Sequence, residues 1–371
     1  MADGTEARPT APPTRTAGAV WGARVWWLLK FLVALFFFVG ALQLMKTGAS
    51  SLDILQSGGF LVKNAGATLG LGWVGALFVL SGSPVAATAL TLVAAGSITE
   101  IQGFTMLTGS RLGAAFVVLV VAVIYALRGG SGERLKPVST AIMALSTTAL
   151  IYIPAALIGY AILKFPPFHA LNLEFPNQFK DLLDLIYGGI LDRVETWPAI
   201  LVFLGGLGVL LLAFKLIDAV MPELNEETLG EKRVAWLRQK WPMFALGSLV
   251  ALITMSVSVA LTVLVPLVSK KYAKREDIIP YIMGANITTL GDTMLAAFAL
   301  GSGAAVRIVL AEVIATAVLS VILLAWFYPL IRKGIFRFQR QILRSKPRLA
   351  AFTAGLFLVP IVIVALSNVL A

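Results

Sequence analysis

The sequence predicts an all-α polytopic membrane protein. It is built from two inverted repeats, each with a re-entrant helical hairpin and a broken helix, and an extra C-terminal transmembrane helix follows them. Three observations predict this. Hydrophobic residues make up 58% and charged residues 13% of the 371, against roughly 45–50% and about 25% in soluble domains. Mean hydropathy is +0.89, and several apolar stretches approach the roughly 20 residues that a helix needs to cross a bilayer. Second, the apolar run from 241 is interrupted by Thr254, Ser256 and Ser258, and the next by Gly284-Ala285-Asn286-Ile287-Thr288-Thr289. Small polar residues inside apolar segments mark discontinuous membrane helices, whose freed backbone groups line a cavity. Third, the plan occurs twice. Ser81 leads to Ser256, Ser83 to Ser258 and Gly109 to Gly284, each 175 residues on, and Gly72, Ala76 and Leu77 fall on Gly247, Ala251 and Leu252. An ungapped match over about forty residues is the mark of an internal repeat.

Composition also excludes. A net charge of +11 would point a soluble protein toward nucleic acid. In a membrane protein it belongs to cytoplasmic loops, and no nucleic-acid partner is expected. There is no cysteine, so thiol chemistry is absent, and His169 is the only histidine, so no multi-histidine metal site exists. No GxxxxGK[ST] phosphate loop occurs. Any transport is therefore ion-coupled, passive, or driven by another subunit. No nucleophile–base pair or metal cluster converges, so an enzyme is not expected, and no cofactor beyond a coupling ion.

Residues 1–19, rich in Pro, Thr, Ala and Arg, read as a disordered tail. A signal peptide is not expected, because the following run is long and begins with Trp26 and Trp27. The first repeat covers 20–163. Its first span is 22–45, and an interfacial stretch follows at 46–65. A hairpin at 66–95 centres on Ser81-Gly82-Ser83-Pro84, with its tip near Gly82 and Pro84 in the first turn after the break. Spans at 104–127 and 139–163 complete it. Residues 164–196, the longest polar link, form an extracellular linker. The second repeat covers 197–330: a span at 197–218, a charged amphipathic stretch at 219–240, a hairpin at 242–268, and spans at 278–300 and 304–330. AFKLIDAVMPEL (213–224) aligns with ALQLMKTGASSL (41–52) at an offset of 172, so three residues are inserted before the second hairpin. A basic linker, 332–348, leads to a last span at 349–370, and together they form the segment 331–371.

Charge sets the topology. RGGSGERLK, EKRVAWLRQK, SKKYAKR and RKGIFRFQRQILRSKPR are the basic segments beyond the tail, and short basic loops stay in the cytoplasm. With a cytoplasmic N-terminus and two re-entrant hairpins, all four fall inside, the acidic 164–196 segment falls outside, and the C-terminus ends outside a cell membrane. AAGSITEIQG (94–103) carries no Lys or Arg, whereas its mate SKKYAKREDI (269–278) is basic. The halves would thus sit upside down relative to each other, a pattern of secondary transporters.

The repeated hairpin with a serine-rich tip and the GANITT stretch at 284–289 resemble the type II sodium–phosphate cotransporter family and its bacterial relatives. That family carries two inverted repeats, each with a Gln-Ser-Ser-Ser motif and a later Gly-Ala-Asn-Ile-Gly-Thr-Thr motif. The resemblance covers about 40–125 and 212–330. Leu80-Ser81-Gly82-Ser83 and Met255-Ser256-Val257-Ser258 keep only the outer serines, and Gly109-Ser110-Arg111-Leu112-Gly113 has arginine at the asparagine position. The resemblance implies sodium-coupled symport of phosphate or a similar anion by alternating access. Ser81, Ser83, Ser256, Ser258, Arg111 and Asn286 would meet the substrate, and Thr108, Ser110, Thr288, Thr289 and Asp292 would bind the ion. Helix N-termini and hydroxyls suit an oxyanion. Loss of both glutamines removes amide donors, which the Arg111 guanidinium can replace.

Each residue also has a plainer reading. The serines can bond back to helix carbonyls or pack between helices. Arg111, costing ~2.5–3.5 kcal/mol to insert in a span, can form a structural salt bridge, with Asp292 as the expected partner. Glu312 reads as a proton or cation site or as a structural group, Arg307 as interfacial, and Glu100 as the cap of its helix. Two other functions stay open. One is a transport-inactive relative serving as a membrane partner subunit. The other is a transporter of another anionic solute, lipid-linked included, with Arg111 as the clamp. A homodimer is compatible with each.

Overall fold

The structure is a computed structural model and describes residues 17–52, 59–128, 135–171, 173, 175–220, 239–255, 260–261 and 278–370. The described residues form helices and turns with no strand. Six helical stretches are long and apolar enough to cross a membrane: Val25–Ser50, Glu100–Ile124, Lys136–Lys164, Ala199–Val220, Gly303–Leu343 and Lys346–Val369.

The first long helix, α1 (Ala17–Ser50), outruns the expected 22–45 span. Next come α2 (Ala65–Val79) and α3 (Ser83–Ala94), of 15 and 12 residues. At 1.5 Å per residue these reach ~22 and ~18 Å, short of the roughly 30 Å hydrocarbon core. Asn64 starts α2, its Oδ1 accepting from the Ala67 amide at 2.9 Å. Leu80, in the left-handed region at φ 55°, ends it. Pro84 sits in the first turn of α3, as the sequence predicts. The chain continues as α4 (Glu100–Ala114) and α5 (Phe116–Arg128), a kinked pair interrupted at Ala115. The long α6 (Leu135–Lys164), with Pro154 inside it, follows.

The expected extracellular linker is not simply a polar loop. It holds a short α7 (Pro166–His169) and an amphipathic α8 (Asn177–Val194). Apolar residues at helical spacing give α8 a face to bury, and Tyr187 docks it: its hydroxyl donates to the Phe36 carbonyl of α1 at 3.0 Å. Next, α9 (Ala199–Val220) lies along α1, close enough that a Cβ at Gly48 would overlap the Phe203 backbone.

In the second half α10 (Lys240–Thr254) ends at Met255, φ 46°. Leu80 and Met255 are the two non-glycine residues with positive φ among the described residues, and they stand 175 apart, like the serines. A side chain in this region costs about 1–2 kcal/mol, so tertiary packing holds both turns. Of the expected second hairpin, 242–268, residues 256–259 and 262–268 lie outside the described residues. The kinked pair recurs as α11 (Ile278–Thr288) and α12 (Leu290–Ala299). Last come α13 (Gly303–Ile322), a π-helical turn at Leu323–Phe327, α14 (Tyr328–Leu343) and α15 (Lys346–Leu370). The stretch expected to be a basic linker is therefore mostly helix. A π turn leaves carbonyls poorly paired, and Lys240 Nζ donates to those of Leu324 and Ala325 at 2.9 and 3.3 Å.

The sequence repeat recurs in the packing. A Cβ at Gly72 of α2 would overlap the Met106 carbonyl of α4, and one at Gly109 the Leu69 carbonyl; in α10 and α11 the same holds for Gly247 with Tyr281 and Gly284 with Phe244. Every member of the second set lies 175 residues after its mate. These glycines hold two helix backbones in contact. The helices run through Gly109 and Gly284 and are interrupted at Ala115 and, within the expected stretch 284–289, at its last residue, Thr289. One contact differs in kind. Gly113 lets α4 approach the Trp73 carbonyl, whereas its mate Thr288 donates to the Ser248 carbonyl at 2.7 Å. The C-terminal α15, which has no mate, packs on α2, where Asn64 Nδ2 donates to the Ser367 carbonyl at 2.7 Å.

Gly284→Ala and Gly109→Ala are each expected to lower stability by about 2–3 kcal/mol, because backbone rather than a movable side chain opposes the new methyl. Gly208→Ala, in open space on α9, should be neutral or slightly stabilising. Unfolding midpoints of the purified variants in one detergent check this.

Candidate functional site

Arg111 is placed by α4, whose start is secured by a capping box between Thr99 and Gln102. Glu100 is thus not the cap. It sits in the first turn, and its carboxylate accepts from Arg307, at 3.4 Å from Nε and closer from Nη2. Three turns on, the side chain of Arg111 is 1% exposed. Its Nη2 lies 3.2 Å from Asp292 Oδ1 and also donates to Thr293 Oγ1. Thr293 in turn donates to Asp292 Oδ1 at 2.8 Å. Asp292 lies in the first turn of α12, where the helix dipole favours a negative charge. Three atoms of this group have no partner among the described residues: Arg111 Nε, Arg111 Nη1 and Asp292 Oδ2.

Thr108, one turn before Arg111, lies 3.0 Å from Glu312 Oε2 on α13 and donates to it or to the Phe104 carbonyl. Glu312 is fully buried, and its Oε1 has no partner among the described residues. On α11, Asn286 donates through Nδ2 to Thr148 Oγ1 of α6 at 3.3 Å, and its carbonyl accepts from the Tyr152 hydroxyl at 2.7 Å. Asn286 Oδ1 is also unpartnered among the described residues. Tyr152 lies within electrostatic reach of Arg111, Glu312 and Asp292, so these residues form one cluster. Buried charge is costly unless paired and hydrogen-bonded, and among the described residues the pairing is incomplete.

The turn between α2 and α3 and the end of α10 border this cluster. Gly82 abuts the Ser110 carbonyl, one residue before Arg111. Ser83, 7% exposed, opens α3, whose N-terminus has no side-chain cap, and Ser81 is half-buried in the turn. Met255 shares with Asp292 a crevice of about 30 Å³ that is also lined by Phe31, Phe38, Phe214 and Asp218. Ser256 and Ser258 lie outside the described residues.

The predicted ion ligands divide. Thr108 and Asp292 face other charged groups. Ser110 donates to the Leu107 carbonyl at 2.6 Å, Thr289 to the Asn286 carbonyl at 3.3 Å and Thr288 to Ser248, so these three hydroxyls are used on main chain. The sequence reading did not single out Thr148, Tyr152, Thr293 or Asp218. Thr147-Thr148 and Tyr152 inside the apolar span 139–163 were the available signal, since polar groups in a span need partners.

Fold and site define a polytopic helical membrane protein with a charge cluster buried among its spans and incompletely paired among the described residues. Comparison with protein-family models, curated proteins and solved structures finds no match to this chain.

Tyr152→Phe removes one neutral donor and is expected to cost about 1 kcal/mol. Thr108→Val takes from Glu312 a hydrogen bond to a buried carboxyl and should cost about 1–3 kcal/mol. Chemical denaturation of each variant in mixed micelles reads both values, and the order of the two costs is the check.

Proposed function

We propose that the protein is a sodium-coupled secondary transporter of inorganic phosphate or a related small oxyanion, working by alternating access. One observation carries the reading: a guanidinium buried among membrane spans, with Nε and Nη1 unpartnered among the described residues. A purely structural arginine in so dry a place would be expected to use its whole fork. A planar set of free N–H donors suits a tetrahedral oxyanion. The uncapped N-terminus of α3 at Ser83 offers further donors and partial positive charge nearby.

In this reading the two halves are inverted across a cell membrane, with the N-terminus cytoplasmic and the C-terminus outside. The short arms α2, α3 and α10 turn back within the bilayer as re-entrant hairpins, and Ser81, Ser83, Ser256 and Ser258 face the anion. Support comes from arms too short to cross, and from the packing of α2 on α4 that recurs in α10 on α11. The hairpins and kinked helices then move against the outer spans, opening the charge cluster to one side at a time. A second reading has its own observation. Arg111 is already bound by Asp292 and Thr293, as in a structural pair of a transport-inactive partner subunit.

Uptake of labelled phosphate into proteoliposomes separates the two. Uptake should follow an inward sodium gradient and fall at least tenfold in Arg111→Lys, which keeps the charge and loses the fork. Uptake indifferent to sodium and unchanged in Ser81→Ala with Ser256→Ala would overturn transport of this kind.

A further inference from the structure

The crevice beside the ion pair has a use of its own. Its polar lining is two carboxylates, Asp218 on α9 and Asp292 on α12, and the remaining walls are apolar side chains from α1, α9, α12 and Met255. The carboxylates lie in electrostatic reach of each other. Asp292 gives Oδ1 to Arg111 and Thr293, while Oδ2, on a side chain 4% exposed, has no partner among the described residues. Asp218 is exposed at the mouth. The walls are pinned there: Trp27 Nε1 of α1 donates to the Val220 carbonyl at 2.8 Å, two residues beyond Asp218.

We infer that this crevice between Asp218 and Asp292 binds a single small monovalent metal cation, and that its binding loosens Asp292 from Arg111. Two carboxylates against one guanidinium leave net negative charge, and Glu312 beyond Thr108 can only add to it. Carboxylate oxygens are hard donors, suited to hard cations. The crevice leaves about 30 Å³ for the centres of water-sized molecules, where one water needs roughly 10–15 Å³, so an ion enters with few of its waters. The two carboxylates and the guanidinium leave about one unit of negative charge, which a monovalent ion balances and calcium or magnesium would exceed, and magnesium also gives up its water reluctantly. A cation beside the Asp292 carboxylate draws on the charge that holds Arg111. The guanidinium is then released toward an oxyanion, and by reciprocity a bound oxyanion tightens the cation. The site itself stands on the geometry; calling its occupant the coupling ion rests on the proposed transport.

The test is equilibrium binding of labelled sodium to the purified full chain, with choline holding ionic strength constant. Saturable binding is expected, and Asp218→Asn should raise the half-saturating concentration at least tenfold. Asp181→Asn, an exposed carboxylate on α8, should leave it unchanged. Because Asp218 is exposed, its variant should keep the wild-type elution profile, and Asp218→Glu should restore part of the affinity. Phosphate should tighten sodium binding in the wild type and not in Asp218→Asn. Absence of saturable sodium binding, a site that takes calcium instead, or an Asp218→Asn curve equal to wild type overturns the inference. Sodium binding that needs Asp218 without any phosphate uptake would sink the transport reading and leave this site standing. Uptake with unaltered sodium dependence in Asp218→Asn would do the reverse.

Discussion

A permanent positive charge buried among membrane spans has to be answered locally, and the contact between Arg111 and Asp292 is the answer on which the rest of the interior depends. It joins α4 of the first half to α12 of the second. Other polar contacts cross between the halves in the same way. Thr108 faces Glu312, Thr148 and Tyr152 meet Asn286, and Gln43 Nε2 donates to the Ala299 carbonyl at 3.0 Å. Lipid tails are as apolar as leucine, so packing and polar contacts rather than hydrophobic burial drive helix association in a bilayer. Packing of α1 along α9 joins the halves at one side, and these polar contacts join them through the interior.

The two halves share a frame and differ where the chemistry lies. Glycine contacts between α2 and α4 are repeated between α10 and α11 with every partner at the same offset, and the left-handed turns at Leu80 and Met255 match as well. Arg111 falls on Asn286 at that offset, yet one takes a carboxylate and the other a threonine hydroxyl. Asp292 and Glu312 fall on Val117 and Pro137, so the acids have no counterparts. A repeated frame with an asymmetric charge cluster leaves, among the described residues, incompletely paired groups at one place, near Gly82 and Met255.

Much of this was legible in the residues. The constant offset gave the repeat, Pro84 gave the start of α3, and the cost of an intramembrane arginine pointed to Asp292. What escaped depends on distances the sequence does not carry. Gly284 reads as the start of an interrupting polar stretch and Gly109 as its repeat mate, while close approach of a second backbone is what demands glycine at both. Glu100 read as a cap by position, while Thr99 with Gln102 satisfies the free amides better. The charges of 332–348 read as a linker, although apolar Ile331, Ile335 and Ile342 at helical spacing bury one face of α14. The crevice beside Asp218 was invisible, because α9 and α12 meet there from segments some seventy residues apart.

Coupling between two charges is most directly measured by a double-mutant cycle on Arg111→Ala and Asp292→Ala, scored by reversible unfolding of the full chain in mixed micelles. If the pair ties the two halves together, each single change should be strongly destabilising, by about 3–5 kcal/mol, and the double change should cost clearly less than their sum, with a coupling of at least about 2 kcal/mol. Additive losses, with coupling within about 0.5 kcal/mol of zero, would contradict it.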